Sequence, residues 1–192
     1  MANALFWSIA LVFAVVSVGQ AQTLADRVTK QQTSIGFKVI EEVGGPTLEE
    51  MLEATDMLVR GRMRQAMSYL TEDGRNIYTV YELLDPRTLF SKDGQPTPAS
   101  ISFMQPGGRV SIGVFTASVS YSSVAKIREG TDLILLLHNS GRQYWAVATG
   151  GVFAVEKDVV LPLSPFEGPH KKYAGTRSDE FVAHFVNELS RK

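Results

Sequence analysis

The chain has 192 residues, 44% of them hydrophobic and 20% charged, so it can bury the core of one folded domain and is not expected to be disordered. Its net charge of -1 gives no long-range attraction for nucleic acid or for an anionic membrane. The absence of cysteine excludes disulfides, thiolate metal sites, cysteine nucleophiles and a lipid attached to an N-terminal cysteine.

Residues 1–21 have the pattern of a cleaved export signal. Residues 5–18 are apolar apart from two serines, and the first charged side chain is that of Asp26. The apolar run is shorter than the roughly 20 residues that a bilayer-spanning helix needs. One feature is atypical: export signals usually carry a Lys or Arg before the apolar run, and residues 1–4 contain neither. We therefore expect cleavage after Ala21 and a secreted or periplasmic protein with no stable membrane span. An uncleaved anchor or a buried helix is the alternative.

Residues 22–56 are predicted to form an N-terminal arm that contains one short helix. The polar segment 23–33 carries Leu24 and Val28 at a helical spacing, which is typical of a weak helix or a loose arm. Residues 35–43 have the composition of a strand, but their apolar and polar side chains do not alternate cleanly.

A capping box predicts the short helix of this arm. The Thr47 hydroxyl can accept a hydrogen bond from the backbone N–H of Glu50, and the Glu50 carboxylate can accept one from the N–H of Thr47. The apolar residues that follow fall on one face of the helix, so we expect it to lie on the next domain; they are Leu48, Met51 and Leu52.

The clearest prediction is a long β-hairpin. The strand Met57–Leu70 and a second strand over residues 77–84 flank a polar turn that contains Asp73-Gly74, a strong hairpin signal. Gly61 inside the first strand predicts a bulge or bend, as occurs where a strand curves round a small barrel. Asp85-Pro86 is expected to end the second strand, because proline cannot donate a hydrogen bond to the sheet.

Further strands follow at short intervals, separated by turn residues rather than by helices. The pattern of the serine-rich segment 116–127 assigns it neither to a strand nor to a loop. Gly150-Gly151 is predicted to interrupt the sheet. The continuous apolar run 133–138 is typical of a strand buried on both faces. The remaining strands are predicted at 100–104, 109–115, 143–149, 152–155 and 159–163. Residues 57–163 are therefore interpreted as one mainly β domain, an antiparallel barrel-like sheet of five or six strands.

Residues 164–192 are predicted to form a linker and an amphipathic C-terminal helix. Ser178 is a favourable N-cap residue, and the two acidic residues after it favour the positive end of a helix dipole. The apolar side chains of this segment make one stripe, which we expect to dock on the sheet; they are Phe181, Val182, Phe185 and Leu189.

Several short segments carry a resemblance to a known group of proteins, among them Leu58-Val59-Arg60-Gly61-Arg62. Together they resemble uncharacterised exported bacterial proteins with a small β-barrel domain. The other segments are residues 47–54, 69–78, 105–110, 129–137 and 144–155. More distantly, the layout is similar to the five-stranded barrel of OB-folds and of netrin-like, metalloproteinase-inhibitor-like modules.

What this resemblance implies is architecture and export, and no activity. The inhibitors use an N-terminal cysteine and disulfides, and this chain contains no cysteine. None of their inhibitory residues therefore has a counterpart here.

An arginine stripe with tyrosines nearby is the best candidate ligand-binding surface. Guanidinium groups on one strand face bind phosphates, sulfates or carboxylates, and tyrosines supply stacking surfaces, as in the nucleic-acid surface of OB-folds. The candidate residues are Arg60, Arg62, Arg64, Tyr69, Tyr78 and Tyr81. The competing interpretation is a solvated strand face whose charges discourage edge-to-edge pairing. The export signal and the small net charge disfavour nucleic acid. The sequence assigns no partner; an envelope protein and an anionic polysaccharide are the candidates.

The sequence predicts no catalytic residue, metal site or cofactor. Its histidines, His138, His170 and His184, are far apart and lack the spacing of metal ligands. No Gly-x-Ser-x-Gly nucleophile motif is present, and the paired glycines lack the lysine of a phosphate-binding loop.

We therefore predict a non-catalytic binding or interaction module of the cell envelope. The alternative from a different class is a hydrolase-type enzyme whose site is assembled from dispersed residues. A third possibility is a structural one, in which the sheet edge or the C-terminal helix packs on a partner chain.

Overall fold

The computed structural model of the protein describes residues 22–40, 46–94, 96–139, 145–165 and 167–191, and it is mainly β, as predicted. The predicted export signal at 1–21 and the end of the strand-like segment at 41–43 lie outside these residues. In chain order the elements are α1 (Leu24–Gln31), β1 (Ile35–Val39), α2 (Leu48–Glu53), β2 (Met57–Leu70), β3 (Ile77–Ser91), β4 (Ile101–Pro106), β5 (Gly108–Ile112), β6 (Phe115–Tyr121), β7 (Asp132–His138), β8 (Trp145–Glu156), β9 (Val159–Pro162), a 3-10 helix (Pro169–Tyr173) and α3 (Ser178–Leu189).

The larger sheet has six strands in the order β4-β3-β2-β7-β8-β9. Its strands pair antiparallel, except that β4 and β8 also meet in parallel, with Phe103 opposite Trp145 and Met104 opposite Ala146. This short contact curls β2, β3, β4, β8 and β7 into a partial barrel-like ring. The predicted barrel-like sheet is thus present, with one parallel contact that the sequence did not indicate.

Strand β7 shows how the sheet divides two hydrophobic layers. Leu133, Leu135 and Leu137 pack inside the ring, whereas Ile134 and Leu136 pack outside it against α2 and α3. All five side chains are 0% exposed, which confirms the prediction of a strand buried on both faces.

A bulge lets β3 continue beyond the point where it was expected to end. Asp85 adopts a left-handed conformation with φ 49°, and Pro86 lies opposite Gly61 of β2, where the strand register shifts. A Cβ on Gly61 would lie 3.3 Å from the Leu84 carbonyl oxygen and from Cα of Pro86, so a side chain would crowd the bulge. The prediction that Asp85-Pro86 ends the strand is wrong, because a proline needs no ladder hydrogen bond inside a bulge. The predicted bend at Gly61 is confirmed.

Gly150-Gly151 likewise lies within one continuous strand, β8, and does not interrupt the sheet as expected. The pairing with β7 shifts register here, so the two glycines belong to a bulge. A Cβ on Gly151 would lie 2.8 Å from Cβ of Leu136, which leaves no room for a side chain where β8 crosses β7.

The smaller sheet has three strands in the order β1-β6-β5 and carries α1 on one side. Strands β1 and β6 pair in parallel, although they are far apart in the sequence. The serine-rich segment that resisted assignment supplies β6. The core of this sheet includes Leu24 and Val28 of α1, so the weak helix of the N-terminal arm is a real one.

The two other helices cover the outer side of the larger sheet. Helix α2 begins after Thr47 with the predicted capping box, in which the Glu50 carboxylate accepts a hydrogen bond from the Thr47 N–H at 2.7 Å. Helix α3 buries Phe181, Phe185 and Leu189, as expected, but its N-cap is not Ser178. The N-cap is Arg177, whose side chain makes no capping hydrogen bond. Ser178 is the first residue of the helix; it is buried and donates its N–H to the Asp158 carbonyl of the β8–β9 turn at 2.8 Å.

Candidate functional site

The part of the β2–β3 hairpin near its turn, with β4 beside it, has one side that faces solvent. We call this side the outer face. Two rows of directly opposed residues cross it, and opposed residues in neighbouring strands point to the same side of a sheet. The first row is Met67, Val80 and Met104, and the second is Tyr69, Tyr78 and Pro106.

An aromatic and methionine cluster occupies the turn end of the outer face. The rings of Tyr69 and Tyr78 stack with centroids 5.6 Å apart and planes 27° from parallel. The Tyr69 hydroxyl also donates to the sulfur of Met67 at 3.6 Å. Met67 is 49% and Tyr69 39% exposed. Their contacts nevertheless form within the protein itself, without a ligand. The cluster is therefore a preformed surface of flat rings and a polarisable thioether.

Charged side chains adjoin this cluster further along the same face. Arg62 lies opposite Leu84, which is itself 40% exposed, and Arg64 approaches the Glu82 carboxylate at 3.7 Å. Among the described residues, no ion pair within 4 Å includes Arg62. The outer face thus combines apolar rings with one guanidinium that is available to an anion.

Arg60 is half-buried and has a structural partner. Its Nη2 lies 2.7 Å from a carboxylate oxygen of Asp132, at the start of β7, and its Nε donates to the same carboxylate at 3.2 Å. This hydrogen bond and the negative charge of Asp132 raise the pKa of Arg60 above its usual value. The pair joins β2 to β7, so Arg60 acts in the sheet rather than on a ligand.

Tyr81 points to the opposite side of the hairpin, toward the inside of the ring. Its ring stacks on that of Phe103 with centroids 5.0 Å apart and planes 12° from parallel. Burial raises the pKa of Tyr81. Of the six residues proposed from the sequence, the fold therefore brings Arg62, Arg64, Tyr69 and Tyr78 together on the outer face.

Sequence reasoning missed the apolar members of this surface. The alternation along β3 already places Val80 with Tyr78, so that residue could have been found. Met104 could not, because its position depends on the pairing of β3 with β4 across a long loop. Met67 falls two residues before Tyr69 and shares its face by the same alternation.

The histidines take part in separate local contacts. His138 Nδ1 lies 3.1 Å from a carboxylate oxygen of Asp56, and His184 Nε2 lies 3.0 Å from the Tyr173 hydroxyl. His170 is buried in the 3-10 helix. Within the described parts of the chain, no group of three or more His, Asp or Glu side chains is arranged to hold a metal ion.

Comparison with protein-family models, with curated proteins and with solved structures finds no match to this chain. The resemblance to OB-fold and netrin-like modules stays a prediction. In the described ranges, the helices are all too short or too polar to cross a bilayer.

Proposed function

We propose that this protein is a non-catalytic binding module of the cell envelope, secreted or periplasmic, that holds an extended anionic polysaccharide on its outer face. The proposal includes the export that residues 1–21 predict and an OB-like barrel as the scaffold. An envelope protein is the alternative partner for the same face.

The observation that carries the proposal is the stacked pair Tyr69 and Tyr78 beside exposed apolar and cationic side chains. Solvent-facing strands normally carry polar residues, and a contiguous apolar patch on such a face usually marks an interaction site. Here the patch is ordered by its own contacts, so binding would freeze few rotatable bonds.

The dimensions of the outer face favour an extended ligand. Glu82, the partner of Arg64, and Tyr78 are four residues apart in one strand, which corresponds to about 14 Å. A ligand that meets both the guanidinium groups and the rings must span that distance. A polysaccharide offers ring faces for the tyrosines and carboxylates or sulfates for Arg62 and Arg64.

The order of the strands supports the OB-like scaffold. The partial ring runs β2-β3-β4-β8-β7, and its third and fifth strands in chain order meet in parallel. In OB-folds the second and third strands of the barrel form the face that binds oligosaccharides and oligonucleotides. The corresponding strands here are β3 and β4, which form part of the outer face.

Calorimetric titration with dextran sulfate tests the proposal, with uncharged dextran as the control ligand. We expect saturable binding of the sulfated polymer, weakened about tenfold by Tyr69→Ala/Tyr78→Ala and by Arg62→Gln/Arg64→Gln. Lys172→Gln/Arg191→Gln is the matched control, because it removes the same charge from residues that lie outside the β2–β3 hairpin and β4, and it should bind normally. Absence of saturation, or an equal loss in the control variant, would reject the polysaccharide.

Export is tested separately by the intact mass of protein recovered outside the cytosol. Cleavage after Ala21 gives a chain that begins at Gln22. A chain that keeps Met1 would contradict the cleaved signal.

A further inference from the structure

Strand β1 lies at the edge of the three-stranded sheet, and within the described residues it pairs with β6 alone. Its middle residues, Gly36, Phe37 and Lys38, are all exposed, Phe37 to 37%. An exposed edge presents unpaired backbone groups to which another strand can add.

The hydrogen-bond pattern shows which backbone groups of β1 are available. Val39 accepts a hydrogen bond from the N–H of Ser122 at 3.0 Å, so the residues that share its orientation, Ile35 and Phe37, also face β6. The N–H and C=O groups of Gly36 and Lys38 consequently point away from the sheet. Among the described residues, the backbone hydrogen bonds outside the strand ladders include neither residue.

A cavity of about 310 Å³ lies against this edge, between β1 and α1. Its lining combines backbone, apolar and polar groups of both elements, namely Arg27, Gln31, Ile35, Gly36 and Phe37. The guanidinium carbon of Arg27 lies 5.3 Å from the centre of the Phe37 ring, which holds the charge over the edge.

The charge around the edge selects the kind of strand that fits. Arg27, Lys30 and Lys38 are exposed cations of α1 and β1. The one acidic residue of these two elements, Asp26, accepts a hydrogen bond from the Thr23 N–H, and none of the residues that line the cavity is acidic. Antiparallel pairing of two copies of β1 would bring two sets of these cations to one seam, where like charges repel each other. An acidic strand would instead be attracted by the three cations.

From these observations we propose that the free edge of β1 docks an extended acidic peptide segment of a partner protein. The segment adds to the small sheet as a fourth strand, bonds to the outward groups of Gly36 and Lys38, and places a carboxylate on Arg27. This interaction uses a different sheet from the outer face and does not depend on the polysaccharide.

Titration with a short synthetic peptide of alternating glutamate and valine tests this docking site, with the lysine–valine peptide as the control. We expect saturable binding of the acidic peptide alone, and slower hydrogen exchange of the Gly36 and Lys38 amides when it is bound. Methylation of the peptide nitrogens along one edge should abolish binding, because that edge supplies the strand hydrogen bonds. Equal binding of both peptides, or binding that survives methylation of each edge in turn, would overturn the proposal.

A pair of variants at Lys38 separates the backbone contribution from that of charge. Lys38→Pro removes the outward N–H, and an edge strand accepts proline at such a position. Lys38→Ala keeps the N–H and removes the charge. We expect the proline variant to bind about five- to tenfold more weakly than the alanine variant, as for one lost hydrogen bond. Equal affinities would overturn strand addition, and concentration-dependent dimers in sedimentation would assign the edge to a second copy instead.

Discussion

The β2–β3 hairpin has two halves that differ in how they are covered. Near the start of β2, Leu58 and Val59 are 0% exposed, because α3 covers one side of the sheet and the ring interior covers the other. Near the turn, Met67 and Tyr69 are 49% and 39% exposed on a side that no other element covers among the described residues. Apolar side chains in the first half stabilise the fold, whereas those on the outer face of the second half are available for binding.

The arginines of β2 follow the same division. Arg60, next to the covered half, is joined to Asp132 at 2.7 Å, whereas Arg62, two residues later, has no such partner in the described part of the chain. Two successive arginines of one strand therefore differ: Arg60 joins two strands, whereas Arg62 is exposed to solvent. We therefore expect mutations only a few residues apart in β2 to alter stability and binding independently.

The largest effect is expected from truncating matched apolar residues in the two halves. Leu58→Ala should lower the free energy of unfolding by about 3 kcal/mol, since it leaves a cavity between the sheet and α3. Met67→Ala should change it by less than about 0.5 kcal/mol and should weaken dextran sulfate binding instead. Urea denaturation followed by circular dichroism measures both. Similar losses of stability at the two positions would show that the turn half is covered after all.

A smaller effect is expected from adding a methyl group at the bulge. Gly61→Ala places a Cβ 3.3 Å from the Leu84 carbonyl oxygen, so we expect a loss of about 1–3 kcal/mol in the free energy of unfolding. Ala66→Val, on the same strand beyond the bulge, adds more volume at an exposed position and should be nearly neutral. Thermal unfolding of both variants tests this, and a neutral Gly61→Ala would show that the bulge can accommodate a side chain.

The smallest effect concerns pH and the cover over the first half. Burial, helped by the charge of Glu188, raises the pKa of Tyr173 from 10.0 to about 12. Because the protonated form is favoured in the fold, its contribution is complete below pH 10 and is lost as the pH rises through 12. After allowance for solvent screening, we expect a loss of about 1–2 kcal/mol over that interval.

The matched variant is Tyr173→Phe, which keeps the ring contacts with Phe181 and Phe185 but cannot ionise. Its stability should fall less than that of the parent over this pH interval. Equal slopes in alkaline urea titrations would show that another group causes the loss.

Part of the fold was predictable because the relevant interactions are local. The capping box of Thr47 and Glu50 and the bounds Met57–Leu70 of β2 follow from neighbouring residues alone, and both are confirmed. The apolar run of β7 was equally clear. The continuation of β3 past Pro86 was not, because a bulge exists only where the opposite strand, at Gly61, leaves room for it.

The candidate site was predictable to a similar extent. Alternation along single strands put Arg62 and Arg64 together, and it separated Tyr81 from Tyr78. It did not reveal that Arg60 pairs with Asp132, a residue that reaches β2 only through the sheet. Nor did it reveal which side of the hairpin the helices would leave uncovered.

By itself, the sequence determined the mainly β class, the capping box of α2, the bounds of β2 and the absence of disulfides, because these depend on composition and short spacings. Only the tertiary structure decided the parallel contacts of β4 with β8 and of β1 with β6, and hence the ring, the outer face and the free edge. The physical reason is that pairing between distant strands is selected by burial of the whole core, and no short segment contains that information.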